Sequence, residues 1–374
     1  MNKNIGLIGS LLPYRGGIAR FTTIAHRNLK EKFNLVSLSF KRQYPLFLYP
    51  GKSNIEPGYS DYREPDVNYI IDSMNPLSWI LACRILEKNK VTSVIIVWWT
   101  FFWFPCIAFM ARYLKFRGIK ILFICENVKD HEETFWKNIL TRTVLSMGDA
   151  FLVDNRNNAE LLQGMFPEGK INIYVKPIEM DYPNPERLLE KRARLELLFC
   201  GFVRPYKGLD ILLEALLLLD GKDICLTIVG EWWTKDIKLL TLLKKLKEKV
   251  EVIDRYVEEE ELARYFYRAD LVVLPYRDAS GTGIIPMAYY YKKPVIATLV
   301  GGLPDFVEEG LSGSLVKPED SFALAEVILE FYNRSPLVME EGIKKVIKNK
   351  NMNWENFCET VIKGLKDMEE KGIK

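Results

Sequence analysis

The amino-acid sequence predicts an α/β protein made of two doubly wound parallel sheets, one after the other. Three observations carry this prediction. Short apolar runs alternate with amphipathic stretches along almost the whole chain. The alternation breaks once, at residues 181–195, and then resumes with the same rhythm. The length of 374 residues corresponds to about two domains at roughly 150 residues each. The break predicts domains at 1–183 and 184–352.

In the first half, Asn4–Leu11 reads as a strand and Gly16-Gly17 as a tight turn. Ile18, Phe21, Ala25 and Leu29 then fall on one helix face. Phe33–Ser39 is a second strand. Residues 41–68 are rich in Pro, Gly, Tyr and charge, and read as a long surface loop. Leu77–Asn89 is helical, Ser93–Val97 a strand, Ile119–Cys125 a strand, Phe135–Met147 a helix and Ala150–Val153 a strand.

One stretch raises the question of a membrane span. No charged residue occurs from Val91 to Ala111, and about 18 uncharged residues are enough to be a candidate. Against a span, Ile95-Ile96-Val97 is β-branched like a buried strand, and Pro105 suits the first turn of a helix reaching Arg117. A strand–loop–helix is the favoured reading. The aromatics at 98–104 keep open a contact with a membrane surface.

The break at Asp181-Tyr182-Pro183-Asn184-Pro185 and the charged run after it end regular structure. Strands are then expected at Glu196–Cys200, Cys225–Val229, Val250–Ile253, Leu271–Leu274, Pro294–Ala297 and Ser314–Val316. Helices are expected at Leu209–Leu219, Leu239–Glu248, Glu259–Arg268, Ile284–Tyr291 and Phe322–Asn333. Ligands of such sheets bind at the carboxyl ends of the strands, and a cleft between two domains is the default site.

Composition narrows the function classes. The net charge is only +3, yet residues 1–50 carry eight basic side chains and one acid, Glu31. A patch of that size suits a phosphate or an anionic surface better than a nucleic-acid track. The six cysteines form no CxxC pair, which is the usage of a reducing compartment. With two histidines, His26 and His131, a His-built zinc site or a Ser-His-Asp triad is disfavoured. GxGxxG and GxxxxGK[ST] are both absent, which disfavours a nicotinamide enzyme and a P-loop ATPase.

Three segments carry chemistry. In Phe199-Cys200-Gly201-Phe202-Val203-Arg204-Pro205-Tyr206-Lys207-Gly208-Leu209 a buried strand leads to a loop bearing Arg204 and Lys207, and a helix follows. Two cations beside a helix N-terminus suit an anion, and a departing diphosphate needs them as its charge builds. The plain alternative is a solvated pair on an exposed loop. In Tyr276-Arg277-Asp278-Ala279-Ser280-Gly281-Thr282-Gly283, the small residues Ser280, Gly281, Thr282 and Gly283 let backbone N–H groups approach a phosphate. Asp278 is an acid positioned to accept sugar hydroxyls, though a turn-capping aspartate accounts for it equally well. Gly16-Gly17 is the third segment, able to cover the same phosphate, or simply to make the turn.

These residues also resemble a family. The chain resembles the GT-B-fold glycosyltransferases of family 4, the group-1 retaining sugar transferases. The likeness covers nearly the whole chain. Gly201…Lys207-Gly208 matches the family's Gly…Lys-Gly loop, and Ala269-Asp270-Leu271-Val272-Val273-Leu274-Pro275-Tyr276 its "aDv.v.Py" strand. Lys293-Pro294-Val295-Ile296-Ala297-Thr298, Gly301-Gly302-Leu303-Pro304-Asp305 and Glu309-Gly310…Gly313-Ser314-Leu315-Val316 follow in the expected order. Gly16-Gly17-Ile18, the aromatic run from Trp98 and the stretch Glu126–Glu132 resemble one archaeal and bacterial branch.

The resemblance implies two Rossmann-like domains facing a central cleft, with a terminal helix in 353–374 packing back on the first. It implies a nucleotide-sugar donor, such as a UDP-, GDP- or ADP-sugar, as substrate, with no metal and no cofactor. Arg204 and Lys207 would grip the diphosphate. Gly230 and Glu231, with Tyr256 and Val257, would lie near the base. Gly16, Gly17 and Ser280–Gly283 complete the donor set. Asp278 and Glu126 join Arg204 and Lys207 as catalytic candidates, and Asn127 and His131 face the acceptor. Transfer would retain configuration, the leaving phosphate helping to deprotonate the acceptor.

Two departures stand out. The family usually carries two glutamates eight positions apart, which here fall on Ser280 and near Met287 or Ala288. Glu126 stands where the family commonly has His. The function expected is a metal-independent glycosyltransferase acting on a glycan, lipid-linked or small-molecule acceptor. The alternative is a catalytically silent GT-B nucleotide-binding or scaffold protein for a partner glycosyltransferase, and a 2-epimerase of the same fold ranks last. The expected location is cytoplasmic. The basic first 50 residues and the aromatic run tilt it toward the membrane's cytoplasmic face, with no nucleic-acid partner.

Overall fold

The computed structural model describes residues 3–45, 53–128, 135–179, 181–234, 236–334 and 339–369. Its contacts divide the chain into two units, Met1–Val175 with Trp354–Lys374, and Lys176–Asn353.

The first unit runs β1 (Asn4–Ile8), α1 (Gly17–Leu29), β2 (Asn34–Arg42), β3 (Val67–Asp72), α2 (Pro76–Lys88), β4 (Ser93–Trp98), α3 (Phe104–Phe116), β5 (Lys120–Cys125), α4 (Phe135–Leu145), β6 (Ala150–Val153), α5 (Arg156–Met165) and β7 (Ile171–Ile173). The strands form one parallel sheet in the order β3-β2-β1-β4-β5-β6-β7. β4 is buried at every position, as a central parallel strand covered on both faces must be. Asn75 caps α2 by accepting from the Leu77 N–H, with Pro76 in the first turn. One core lies under α2–α5 and contains Trp79, Cys83, Met110, Leu114 and Val144. The other lies under α1 and joins Phe21, Ala25 and Leu29 to Phe357, Val361 and Leu365 of a helix from the far end of the chain.

The second unit runs β8 (Leu195–Cys200), α6 (Leu209–Leu218), β9 (Ile224–Val229), α7 (Ile237–Lys245), β10 (Val250–Ile253), α8 (Glu259–Arg268), β11 (Leu271–Leu274), α9 (Ile284–Tyr290), β12 (Val295–Thr298), β13 (Gly313–Val316), α10 (Ser321–Asn333) and α11 (Glu340–Asn349). Its sheet is parallel in the order β10-β9-β8-β11-β12-β13. The winding therefore reverses between β8 and β11, the place where such a sheet opens a crevice for ligands. The last helix, α12 (Trp354–Glu369), returns to the first unit.

Several features differ from the sequence reading. β3, α5, β7 and α11 were not foreseen. β3 is an edge strand of mixed burial that reads as the end of a polar loop. β7 spans three residues, too short for any period to show. The loop expected over 41–68 is tied down where it is described. Arg27 holds Glu64 through two hydrogen bonds of 2.8 Å, and Tyr62 donates to the same carboxylate at 2.5 Å. The units divide at Val175/Lys176 rather than 183/184. The reason is local: Tyr290 and Tyr291 donate to the carbonyls of Tyr182 and Pro183 at 2.9 and 3.0 Å.

Among the described residues, half of the eight basic side chains in the first 50 residues are paired with acids. Arg27, Arg42, Lys3 and Lys30 each lie against a carboxylate, of Glu64, Asp72, Glu369 and Asp66 respectively. The aromatic run also turns inward. Trp98 and Trp103 are buried, and Phe40 and Tyr44 pack on Trp103 with ring centroids 4.5 and 4.7 Å away. Trp99, Phe102 and Phe104 are half-buried against the same core, Phe101 is half-buried, and the uncharged stretch 91–111 contains β4 and the start of α3. Among the described residues no helix is long and apolar enough to cross a membrane.

Candidate functional site

At the switch point of the second sheet, β8 delivers Gly201 and β11 delivers Pro275 into facing loops. The loops are pressed together so closely that glycine is required. Gly230 after β9 has φ +147°, and a Cβ there would stand 2.2 Å from the Gly201 carbonyl oxygen. Gly208 has φ +63°, and its Cβ would stand 2.0 Å from the Pro275 oxygen. Both conformations are open to glycine and strained for other residues.

This packing buries Lys207. The residue is 9 % exposed, its ammonium lies 5.3 Å from the Tyr276 ring centroid, and it fills the space above Gly201, where a Cβ would come within 2.7 Å of Nζ. Desolvation lowers its pKa to about 8, and the nearby Arg204 charge pushes the same way. A buried cation with aromatic and glycine neighbours gains most from an anion brought to it.

Arg204 rests over two rings, 5.3 Å from the Tyr206 centroid and 5.8 Å from that of Trp233. Trp233 stacks on Phe202 at 4.4 Å. The loop after β9 is aligned by a bridge between Val203 and Trp232 and by Asp254, which accepts from the Trp232 N–H at 2.9 Å. Arg204, Lys207, Gly201 and Gly230 therefore gather at the carboxyl ends of β8 and β9. Glu231 follows directly and is half-buried, as is Tyr256, while Val257 is buried. Their neighbour Arg255 forks onto Glu261 at 2.6 and 2.8 Å.

The loop after β11 supplies the other candidates. Thr282 is buried, and its hydroxyl accepts from the Ile284 N–H at 3.0 Å in the turn that leads into the short helix α9. Gly283 has an ordinary φ of −86°, with nothing within 4 Å of where a Cβ would stand. Ser280 and Gly281 are half-buried and Asp278 is exposed.

The sequence reading missed what holds this loop to its neighbour. Arg277 donates to the Pro205 carbonyl at 2.9 Å and to both oxygens of Asp210 at 2.8 and 2.7 Å. Its own N–H donates to the Tyr206 carbonyl at 2.6 Å. Its Nε also reaches Glu319, at 2.7 Å. Arginine's planar fork suits such multidentate holding. The paired cations Arg277 and Lys238 offset burial and hold the Asp210 carboxyl down at about 2. The only sequence signal was an Arg directly after a strand and an acid opening the neighbouring helix.

In the first unit, Gly16 has φ +108°, and space is open within 4 Å of the Cβ positions of both Gly16 and Gly17. Glu126 follows β5 and is buried, with Oε1 accepting from the Tyr174 hydroxyl at 2.6 Å. Burial and the adjacent carboxylates push the Tyr174 pKa well up, so it stays a donor. Asn127 donates to the Trp99 carbonyl at 3.0 Å. Tyr174 was not singled out from the sequence, since 48 residues separate it from Glu126. His131 lies outside the described residues. Among the described residues no three His, Cys, Asp or Glu side chains cluster in a way that would hold a metal ion.

Residues 194–334 match the family model for glycosyl transferases group 1. A GDP-mannose:glycolipid 4-beta-D-mannosyltransferase of Xanthomonas campestris pv. campestris is 25 % identical over 201 residues, 51 % of this chain and 54 % of that protein. A D-inositol 3-phosphate glycosyltransferase of Streptomyces coelicolor is 32 % identical over 188 residues, 45 % of this chain and 41 % of that one. The matches thus span about half the length of these curated relatives. Among solved structures, the sucrose-phosphate synthase of Thermosynechococcus elongatus superposes with TM-score 0.73 at 16 % identity, covering 99 % of this chain and 100 % of that one. HepE of Anabaena, solved with UDP, superposes with TM-score 0.70 at 12 % identity over 97 % and 99 %. Residues 194–334 of the second unit are thus similar to group 1 glycosyl transferases, and the chain has the GT-B fold.

Proposed function

We propose that this protein transfers a sugar from a nucleotide-sugar donor to an acceptor hydroxyl, with retention of configuration and without a metal ion. The observation that carries the reading is Lys207, a lysine buried at the switch point beside Arg204 and two sterically obligatory glycines. A doubly negative diphosphate is the partner that repays the desolvation of such a lysine. In the reaction the bond from the anomeric carbon to the phosphate oxygen breaks. The acceptor oxygen bonds to the same face of that carbon, and its proton passes to the departing phosphate. Lys207 and Arg204 stabilise the charge that develops on the leaving group. They supply in fixed positions the positive charge that a metal would otherwise provide.

Asp278 and Glu126 orient sugar and acceptor hydroxyls. The glycolipid named for the Xanthomonas relative supports a lipid-linked acceptor. The test is turnover with a panel of UDP-, GDP- and ADP-sugars, with chelator present. Lys207→Ala and Arg204→Ala are each expected to lower kcat/KM by about a hundredfold or more, with the unfolding midpoint little changed. Unchanged kinetics in both variants would overturn the assignment.

A second reading rests on Ser280 and on Met287 or Ala288, which stand where the family resemblance places two glutamates. It is a silent nucleotide-binding scaffold. Thermal stabilisation by a nucleoside diphosphate with no turnover across the panel would select it.

A further inference from the structure

Lys207 stands in a single 3₁₀ turn, Pro205–Lys207. The Lys207 N–H donates to the Arg204 carbonyl at 3.0 Å and the Gly208 N–H to that of Pro205 at 3.2 Å. So short a turn has poor hydrogen-bond geometry and little stiffness of its own. Its stiffness comes from outside: three consecutive residues after β11 touch every residue from Pro205 to Gly208. The Pro275 carbonyl lies beside Gly208, where a Cβ would come within 2.0 Å of it. The Tyr276 ring lies 5.3 Å from the Lys207 ammonium and meets the Tyr206 ring edge-on at 6.1 Å. Arg277 donates from its backbone to the Tyr206 carbonyl at 2.6 Å, and from Nη1 to the Pro205 carbonyl at 2.9 Å.

The Arg277 side chain is committed to protein partners. Nη1 and Nη2 donate to the two oxygens of Asp210 at 2.8 and 2.7 Å, and Nε to Glu319 at 2.7 Å. With the Pro205 carbonyl, four of its five N–H groups are in use. Asp210 lies in the first turn of α6, three residues after Lys207. A bare carboxylate so near an anion site would oppose a phosphate. Arg277 offsets it together with Lys238 of α7, which reaches Asp210 at 3.0 Å and Glu214 at 2.9 Å. One arginine thus ties the Lys207 turn, the start of α6 and the turn after β13 to the loop after β11.

We propose that Arg277 is a positioning residue for Lys207, whose planar fork locks the Pro205–Lys207 turn to the loop after β11 so that both loops meet a diphosphate as one rigid piece. The identity of that ligand rests on the transferase reading, and the proposal adds which side chain places the lysine. The charged and titratable groups that act on Lys207 itself are Arg204 and the Cys200 thiol, so Arg277 reaches it through the turn. A lysine at position 277 would keep the charge but lack the fork, and could not hold Pro205, Asp210 and Glu319 together. A released turn lets water reach the Lys207 ammonium. Its pKa, about 8 in the closed arrangement, then climbs toward the ordinary 10.5.

The test is the titration of Lys207 in the full chain, followed by competitive acetylation between about pH 6 and 11 with peptide mass analysis, alongside calorimetry with UDP, GDP and ADP. Arg277→Lys and Arg277→Met are both expected to move the Lys207 pKa from about 8 toward 10.5 and to weaken nucleoside diphosphate binding by about tenfold or more. Asp210→Asn added to Arg277→Met should cost no further affinity, because the two side chains act as a unit. A Lys207 titration unchanged in both Arg277 variants would overturn the proposal, even where the unfolding midpoint falls, since that is the mark of a merely structural contact. Wild-type titration and affinity in Arg277→Lys would also overturn it, because charge alone would then suffice. Should Arg277→Met fail to fold, Arg277→Lys decides by itself. A wild-type chain that binds none of the nucleotides, with the Lys207 titration still moved in the variants, counts against the transferase reading alone.

Discussion

Lys207 concentrates the chemistry of the site in one titration. Burial lowers its pKa to about 8 from an ordinary 10.5. In the free protein its charge is therefore lost as pH rises through 8. A bound diphosphate stabilises the charged form and raises that pKa, so binding above pH 8 takes up a proton. Nucleoside diphosphate affinity is thus expected to be highest below pH 8. Above it, affinity should fall by up to about tenfold per pH unit until the pKa of the complex is reached. Calorimetry between pH 7 and 10 measures this, and Lys207→Met should flatten the dependence. The stability of the free fold has the opposite slope. Between about 8 and 10.5 the unfolded chain holds the proton that the folded one has released, so stability rises with pH.

The Lys207 loop was legible in the sequence because its residues are contiguous. Arg277, Tyr174 and Tyr276 were not, because each acts on partners distant in sequence: Arg277 on Asp210, 67 residues away, and Tyr174 on Glu126.

At the scale of elements, the site is a set of strand ends joined by glycines rather than a single loop. Gly230→Ala would drive a Cβ into the Gly201 carbonyl, and Gly208→Ala another into that of Pro275. Neither obstacle is the end of a flexible side chain, so the loops themselves must move. Each change is expected to cost about 1–3 kcal/mol and to loosen Lys207, read as a lower denaturant midpoint together with weaker nucleotide binding. Gly164→Ala in α5 is the control, since its backbone is helical and its Cβ would meet open space. Here the sequence was informative in kind but not in degree. A glycine after a strand signals a turn, whereas contact with a second loop's carbonyl follows only from the crossover that brings β11 beside β8. The same limit explains the missed elements. β7 and β3 are short or at an edge, and they become strands because a neighbour offers hydrogen bonds, not because their own pattern demands it.

At the scale of the whole molecule, the first unit is completed by the other end of the chain. Phe357, Val361, Leu365 and Met368 of α12 pack with Phe21, Leu29, Leu122 and Leu152, and Phe21 meets Phe357 edge-on at 5.4 Å. Phe357 is fully buried, so Phe357→Ala is expected to cost about 3–5 kcal/mol. That loss should appear in the unfolding transition of the first unit, while nucleotide-induced stabilisation of the second persists. A single shifted transition lacking nucleotide response would contradict the separation into two units.

The sequence by itself determined two successive βα windings and the strand–loop–helix segment that carries Arg204, Lys207 and Gly208. Periodicity and glycine placement are local properties, and a parallel strand buried on both faces advertises itself as an unbroken apolar run. It also placed a break near residue 183. Only the tertiary structure decided which charges remain outward, which aromatics are core, and which distant side chains hold the site in place. Those outcomes depend on crossovers that pair Arg27 with Glu64, Glu126 with Tyr174 and Arg277 with Asp210. No local pattern encodes a partner that lies 37, 48 or 67 residues away.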